Sequence, residues 1–178
     1  MASNKVVRCG GNKASPYLNQ VMSRLNWMKD WHGQSLHCLD VGCGRGRNSI
    51  LMVKHGFEVV SLDLQPDYGM QWDLTQGRLP VFSSSIDVIL MQYVLMFIPK
   101  DAMMGIIDNA CKALRPMGCV IVEFYPAKES FYPTKEKIQE VHKAVADRFI
   151  DNGLLIYMEE LRRFIASKAY IPALNAPA

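Results

Sequence analysis

The sequence predicts an α/β protein built around a mostly parallel β-sheet. Four short apolar runs have the length of buried strands, at residues 36–41, 57–62, 86–91 and 120–124. Segments with apolar residues at helical spacing lie between them, and glycines directly follow the first run. Strands that alternate with helices form parallel sheets with right-handed crossovers, and such sheets bind ligands at the carboxyl ends of their strands.

The 178 residues fit a single domain, 1–178, which has helical segments at both of its ends. An N-terminal helix is predicted over residues 15–30, because a serine that can cap it precedes a proline that suits its first position. Residues 126–178 are predicted to be a C-terminal helical segment. Within it, apolar spacing predicts helices over 134–149 and 158–165.

Two elements of a complete doubly wound sheet have no clear counterpart. Only residues 64–69 separate the second strand from a short third strand near Trp72, too few for the crossover helix that a parallel connection normally needs. No sixth or seventh strand is recognisable in residues 126–178. An exposed sheet edge left by that loss invites pairing with another chain, so this edge offers a route to a homodimer.

The composition argues against several classes of protein. Hydrophobic residues make up 49% and charged residues 21% of the chain, which indicates a folded protein rather than a disordered one. The net charge of +3 is spread along the chain, so no basic patch indicates a nucleic-acid partner. The longest apolar run, 88–98, is too short to span a membrane. With no secretory signal and no metal-like spacing of cysteine and histidine, a cytoplasmic protein without a bound metal is expected.

The most informative segment is the glycine-rich stretch 39–49, which reads LDVGCGRGRNS. Glycines directly after a strand let the backbone turn sharply and approach a ligand, and the following helix offers free N–H groups to an anionic group. Arg47 stands where a dinucleotide fingerprint needs its third glycine, and no Gly-Lys-Ser/Thr of a phosphate-binding P-loop follows. These departures weigh against nicotinamide, flavin and nucleoside triphosphate ligands.

Three charged residues each leave two interpretations open. Asp63 ends the second strand, where an acid accepts hydrogen bonds from the ribose diol of an adenosine cofactor; alternatively it caps a helix or is simply solvated. Asp73 follows the third strand and could accept from an adenine amino group or cap a turn. Arg47 could meet a carboxylate of the ligand or only occupy the start of the helix. The glycine loop and Asp63 together favour an adenosine cofactor.

The stretch 39–64 resembles the first two motifs of the class I S-adenosylmethionine-dependent methyltransferases. Residues 43–49, CGRGRNS, are similar to the loop of the tellurite-resistance (TehB-like) methyltransferase group, and residues 87–97 resemble its fourth-strand motif. Residues 114–118, LRPMG, resemble the turn before strand five, with Met117 where the family usually has a glycine.

This resemblance implies a single Rossmann-like three-layer domain with sheet order 3-2-1-4-5 and a cofactor-binding core over 36–125. It also implies S-adenosyl-L-methionine as the cofactor. The residues that we expect at the cofactor on this basis are Asp40, Gly42, Cys43, Gly44, Arg47, Asn48, Asp63, Leu64, Asp73, Leu74 and Gln92.

The implied activity is that of a methyltransferase acting on a small-molecule acceptor. Methyl transfer from a sulfonium depends mainly on alignment, and a base is needed only if the nucleophile must lose a proton. Tyr93 and Glu123 follow strands four and five and are weak catalytic candidates; His142 is more simply a surface or packing residue. Residues 90–94, LMQYV, lack the motifs of enzymes that methylate nucleic-acid bases. The alternatives are a nucleic-acid or protein methyltransferase, and a cofactor-binding accessory protein without turnover.

Overall fold

A computed structural model describes residues 13–32, 35–124, 135–160 and 163–168 of the chain. The strands in these residues are β1 (His37–Val41), β2 (Glu58–Asp63), β3 (Met70–Gln71), β4 (Ile86–Gln92), β5 (Leu114–Glu123), β6 (Leu154–Glu160) and β7 (Arg163–Lys168). The α-helices are α1 (Pro16–His32), α2 (Arg47–Lys54), α3 (Lys100–Ala113) and α4 (Lys135–Asp151). The predicted N-terminal helix is therefore confirmed, to within two residues at its end.

All the strands that the described residues form belong to one sheet, in the order β3-β2-β1-β4-β5-β7-β6. The first five run parallel, as the order 3-2-1-4-5 predicts. The chain moves outward from β1 to β2 and β3 and then returns to pair β4 with the other side of β1. The strand order therefore reverses between β1 and β4, which is where open α/β sheets bind their ligands.

The prediction that strands six and seven are missing is wrong. β7 pairs antiparallel with both β5 and β6, so a hairpin completes the sheet. The helix predicted over 158–165 is also wrong, because its apolar residues belong to the two strands of that hairpin. In its described residues, the C-terminal segment is consequently a helix followed by a hairpin. Since β7 covers the edge of β5, the exposed edge that suggested a homodimer does not exist at β5.

Helices cover both faces of the sheet, which gives the three predicted layers. On one face, apolar residues of α1 and α2, including Leu18 and Met52, pack with Cys38 of β1. On the other face, residues of α3 and α4, including Ile106 and Phe149, pack with Leu39 of β1. Successive strand residues thus serve opposite cores, as the alternation of side chains along a strand requires.

The connection from β2 to β3 is as short as the sequence predicts. Residues 64–69 contain no helix, and they fold back against the glycine loop that follows β1. The Asp67 N–H donates to the Gly44 carbonyl oxygen at 3.2 Å, and the Cys43 thiol donates to the Tyr68 carbonyl oxygen at 3.4 Å. We call residues 64–69 the β2–β3 connector.

Met117 is strained in the way that its departure from the family pattern suggests. It adopts a left-handed backbone with φ 65°, where a glycine would be at ease. A residue with a Cβ pays about 1–2 kcal/mol for this conformation. The residue lies within β5, beside the irregular pairing of its first residues with β4.

Candidate cofactor-binding site

The carboxyl ends of β1, β2, β4 and β5 bring most of the predicted site residues to one edge of the sheet. The glycine loop, residues 42–46, leaves β1 and leads into α2. Asp63, Gln92 and Glu123 are the last residues of β2, β4 and β5. At this edge, the glycine-rich backbone turn therefore lies beside three polar side chains, at the point where the strand order reverses.

Two glycines of the loop need to be glycine for different reasons. Gly42 and Gly44 both have left-handed backbones, with φ 73° and 53°. A Cβ added at Gly42 would lie 2.2 Å from Cγ2 of Val94, so the residue permits a close approach between the loop and the segment after β4. A Cβ added at Gly44 would meet no atom of the described part of the chain within 4 Å. Gly44 thus presents bare backbone to open space, as a loop that receives a ligand should.

Asp63 lies directly beside this open position. Its Oδ2 accepts a hydrogen bond from the Gly44 N–H at 2.8 Å, and its Oδ1 accepts from the Gln65 N–H at 3.0 Å. Each carboxylate oxygen has more than one acceptor site, so the hydroxyls of a ribose can still bind here. Leu64, the next residue, exposes 45% of its surface and offers an apolar contact at the same edge.

Asp40 supports the loop from beneath. The side chain is buried, and its Oδ2 accepts from the Ser49 hydroxyl at 2.5 Å, while Ser49 accepts from the Ser61 hydroxyl at 2.8 Å. Burial raises the pKa of Asp40 to about 6, against the lowering effects of the Ser49 hydrogen bonds and the Arg47 charge. This chain of hydrogen bonds ties β1 to α2 and β2, which holds the loop between fixed ends.

Cys43, Arg47 and Asn48 also lie at the loop, in three different environments. Cys43 is buried, and burial is the main reason why its thiol pKa rises to about 12. The Arg47 guanidinium lies over the Tyr93 ring, 5.6 Å from its centroid, which is a cation–π distance. Asn48 is buried, and its Oδ1 accepts from the Ser15 N–H at 2.9 Å, so α2 is bonded to the start of α1.

Asp73 caps a turn, which is one of the two roles open to it. Its Oδ1 accepts from the Thr75 N–H at 2.9 Å and from the Thr75 hydroxyl at 2.7 Å, and these bonds lower its pKa. The capped element is a 3-10 helix, Leu74–Gln76, whose Leu74 is buried. The contact of Asp73 with an adenine amino group stays a prediction.

Glu123 is the centre of a buried polar cluster. Its side chain is 0% exposed, and its Oε2 accepts from the Ser15 hydroxyl at 2.5 Å and from Nε2 of Gln92 at 3.0 Å. Its Oε1 accepts from the Tyr93 hydroxyl and lies 3.2 Å from Nε of Arg163. The carboxylate is thus ion-paired and surrounded by donors. Sequence reasoning missed Ser15 and Arg163, which are far from Glu123 along the chain.

Neither weak catalytic candidate is arranged as a base. The Tyr93 hydroxyl donates a hydrogen bond to Glu123, and burial, followed by the effect of Glu123, raises the tyrosine pKa to about 12. Glu123 is enclosed by its donors. Tyr93 also has a left-handed backbone, with φ 59°, and such strain in a residue other than glycine concentrates at functional sites. Both residues are thus held in a network of contacts, and a catalytic role for either one stays a prediction.

His142 is a packing residue, one of the two roles considered for it. Its ring stacks on Phe124 with centroids 4.1 Å apart and planes 27° apart. Burial lowers the imidazole pKa to about 4, so the ring is neutral near pH 7.

Among the residues that the structure describes, no helix has the length and apolar character needed to cross a membrane. The same residues contain no group of three His, Cys, Asp or Glu side chains placed to hold a metal ion.

The comparison with known protein families identifies the class. Residues 12–170 match a family model described as a methyltransferase domain, so the chain belongs to this family of methyltransferase domains. The fold is that of the S-adenosylmethionine-dependent methyltransferases. One such enzyme from Methanosarcina mazei superposes with a TM-score of 0.59 at 15% identity, covering 88% of this chain and 99% of that one.

Particular relatives have named activities. The amino pentose methyltransferase CalS10 from Micromonospora echinaspora, solved with S-adenosylmethionine bound, superposes with a TM-score of 0.57 at 13% identity, covering 89% of this chain and 94% of that one. The demethylmenaquinone methyltransferase of Tropheryma whipplei is 26% identical over 121 aligned positions, and the match covers 55% of this chain and 50% of the relative. The chain therefore spans about half the length of this curated relative.

Proposed function

We propose that this protein binds S-adenosylmethionine at the edge formed by β1, β2 and β4 and transfers the methyl group to a small-molecule acceptor. The observation that carries the proposal is the open backbone at Gly44 beside the Asp63 carboxylate. A glycine turn without side chains suits a ribose that lies against the backbone. The neighbouring Asp63 carboxylate can still accept hydrogen bonds from the ribose hydroxyls. Membership in the methyltransferase family supports the same assignment.

The residues around this point supply the remaining contacts of the proposal. Asp63 would accept from the ribose hydroxyls, and the exposed face of Leu64 would pack on the adenine. Gln92, whose Oε1 is buried and has no hydrogen-bond partner among the described residues, would accept a hydrogen bond from the amino-acid end of the cofactor. The Arg47 guanidinium would face the carboxylate of that end, with Tyr93 stacked beneath it.

The bound cofactor would supply a methyl group on a sulfonium, which leaves as a neutral thioether. The protein's contribution to such a displacement is alignment, worth up to about 7–11 kcal/mol. Because Tyr93 keeps its proton and Glu123 is ion-paired, neither is placed to deprotonate the acceptor. The proposal therefore favours an acceptor that is already nucleophilic near neutral pH, such as an acidic thiol or a carboxylate.

The small-molecule acceptor rests on similarity to other proteins. The related proteins named above include methyltransferases of an amino pentose and of demethylmenaquinone. The loop sequence 43–49 resembles that of the tellurite-resistance group. The +3 charge, spread along the chain, gives no support to a nucleic-acid acceptor.

Calorimetric titration with S-adenosylmethionine, S-adenosylhomocysteine and NAD tests the cofactor. We expect the two sulfur compounds to bind and NAD not to bind. Asp63→Ala should weaken them at least about tenfold, because hydrogen bonds to a charged acceptor contribute about 1.5–3 kcal/mol each. Asp151→Ala is the matched control, since Asp151 is an exposed acid that ends α4, away from this edge.

Two outcomes would contradict parts of the proposal. Binding of NAD alone, or of none of the three compounds, would refute the cofactor assignment. Binding of the sulfur compounds with no turnover in a broad screen of thiols, carboxylates and amines would instead favour an accessory protein that binds the cofactor without transferring it.

A further inference from the structure

Gln92 lies at the crevice where the strand order reverses. It is the last residue of β4, which pairs with β1 just before the glycine loop. Val94, two residues after Gln92, lies so close to Gly42 that a Cβ added at Gly42 would overlap the Val94 side chain. The glycine loop and the end of β4 therefore form adjacent walls of the crevice. Gln92 is buried, and its strand β4 lies between β1 and β5 in the sheet.

Glu123 fixes which way the Gln92 amide is turned. Nε2 of Gln92 donates to Oε2 of Glu123 at 3.0 Å. If the amide were rotated by half a turn, its oxygen would face the carboxylate, and two acceptors repel each other. Glu123 cannot turn away, because Arg163 pairs with it and the Ser15 hydroxyl donates to it.

The fixed orientation leaves the other end of the amide without a partner. Oε1 of Gln92 is buried and accepts no hydrogen bond from any residue that the structure describes. A buried acceptor without a donor is unfavourable, and native proteins contain few of them. A ligand donor in the crevice would remove that penalty. The cofactor named under Proposed function carries a charged donor with several N–H bonds, its α-ammonium group.

We propose that Glu123 is a positioning residue: it holds Nε2 of Gln92 so that Oε1 of Gln92 faces the α-ammonium group of S-adenosylmethionine. This inference rests on the proposed function, since it concerns how the same site recognises its cofactor. It assigns Glu123 to recognition of the amino-acid end of the cofactor and gives it no part in proton transfer. The Gln92 amide has a donor end and an acceptor end. Because the donor end is bonded to Glu123, the acceptor end faces the ligand, and the site is therefore specific for a ligand group that donates hydrogen bonds.

The test compares two probes on four proteins by calorimetry. The probes are S-adenosylhomocysteine and the same molecule without its α-amino group. The proteins are the wild type, Gln92→Leu, Glu123→Gln and Ser15→Ala. Gln92→Leu removes the acceptor but leaves Glu123 its ion pair, so it remains informative if Glu123→Gln fails to fold. Ser15→Ala is the matched control, because it removes another donor to Glu123 and leaves the bond from Gln92 intact.

We expect Gln92→Leu and Glu123→Gln to weaken S-adenosylhomocysteine about tenfold or more and to leave the deaminated probe unchanged. Ser15→Ala should change the affinities for both probes by the same factor. Equal weakening of the two probes by Gln92→Leu would overturn the inference, because a merely structural role acts on both. Failure of the wild type to bind S-adenosylhomocysteine would instead refute the proposed function, and this inference with it.

Discussion

Alanine substitutions at Gly42 and Gly44 separate the two reasons for glycine in the loop. Both residues have left-handed backbones, in which a Cβ costs about 1–2 kcal/mol. At Gly42 the new Cβ would also lie 2.2 Å from Cγ2 of Val94, and overpacking of this kind costs a further 1–3 kcal/mol or so. At Gly44 the Cβ would meet none of the residues that the structure describes within 4 Å. We therefore expect Gly42→Ala to cost about 2–5 kcal/mol and Gly44→Ala only about 1–2 kcal/mol.

Urea unfolding measures this difference, and calorimetry with S-adenosylhomocysteine completes the comparison. A difference of about 2 kcal/mol in unfolding free energy between the two variants corresponds to a difference of about 4–8 °C in melting temperature for a chain of this size. Gly44→Ala should weaken the ligand at least about tenfold despite its small effect on stability, because its methyl group enters the space proposed for the cofactor. Equal losses of unfolding free energy in the two variants would refute the overlap with Val94. Unchanged ligand binding by Gly44→Ala would refute the position of the cofactor.

Three further predictions concern other features of the structure. His142 has a pKa of about 4 when folded and near 6.5 when unfolded, so the unfolded chain binds the extra proton and the wild type loses stability as the pH falls from 7 to 5. Between pH 7 and pH 5, His142→Phe should lose about 1–2 kcal/mol less unfolding free energy than the wild type, as measured by urea unfolding. Parallel pH dependences of the two proteins would contradict this expectation. Met117→Gly should be about 1 kcal/mol more stable than Met117→Ala, because only glycine relieves the left-handed backbone, and equal unfolding midpoints would argue against strain there. Arg163→Met should cost about 3 kcal/mol by leaving Glu123 buried without its cation, and adding Glu123→Gln should recover most of this; no recovery would mean that the ion pair is not the cause.

The central part of the fold could be predicted because it depends on local patterns. The four short apolar runs correspond to β1, β2, β4 and β5, and parallel connections have one handedness. The absence of a helix in the β2–β3 connector followed from its length alone. These features require no knowledge of distant contacts.

The C-terminal hairpin could not be distinguished from a helix by apolar spacing. Leu154 is buried while Leu155 and Tyr157 are each 56% exposed, which is the alternation of a strand. This short alternation was the available signal, but short apolar runs fit both periods. What decides the structure is the pairing of β7 with β5, whose partners are 40 or more residues away in the chain.

The role of Glu123 was beyond sequence reasoning for the same physical reason. An acid at the end of a strand near a predicted site suggests catalysis when its neighbours are unknown. Ser15, just before α1, and Arg163, in β7, both approach Glu123, and the sequence placed their segments without contacts to this strand. The glycine loop and Asp63, by contrast, are adjacent through neighbouring strands, and their contact could be anticipated.

The β2–β3 connector has a consequence for the thermodynamics of ligand binding. Its backbone bonds to Gly44 and Cys43 tie the glycine loop to β2, and a Cβ at Gly46 would touch the Tyr68 ring at 3.0 Å. A loop held in this way has little conformational freedom left to lose when a ligand arrives. Pre-organisation of this kind lowers the entropic cost of association. A stretch too short to form a crossover helix therefore acts as a brace that keeps the loop ready for its ligand.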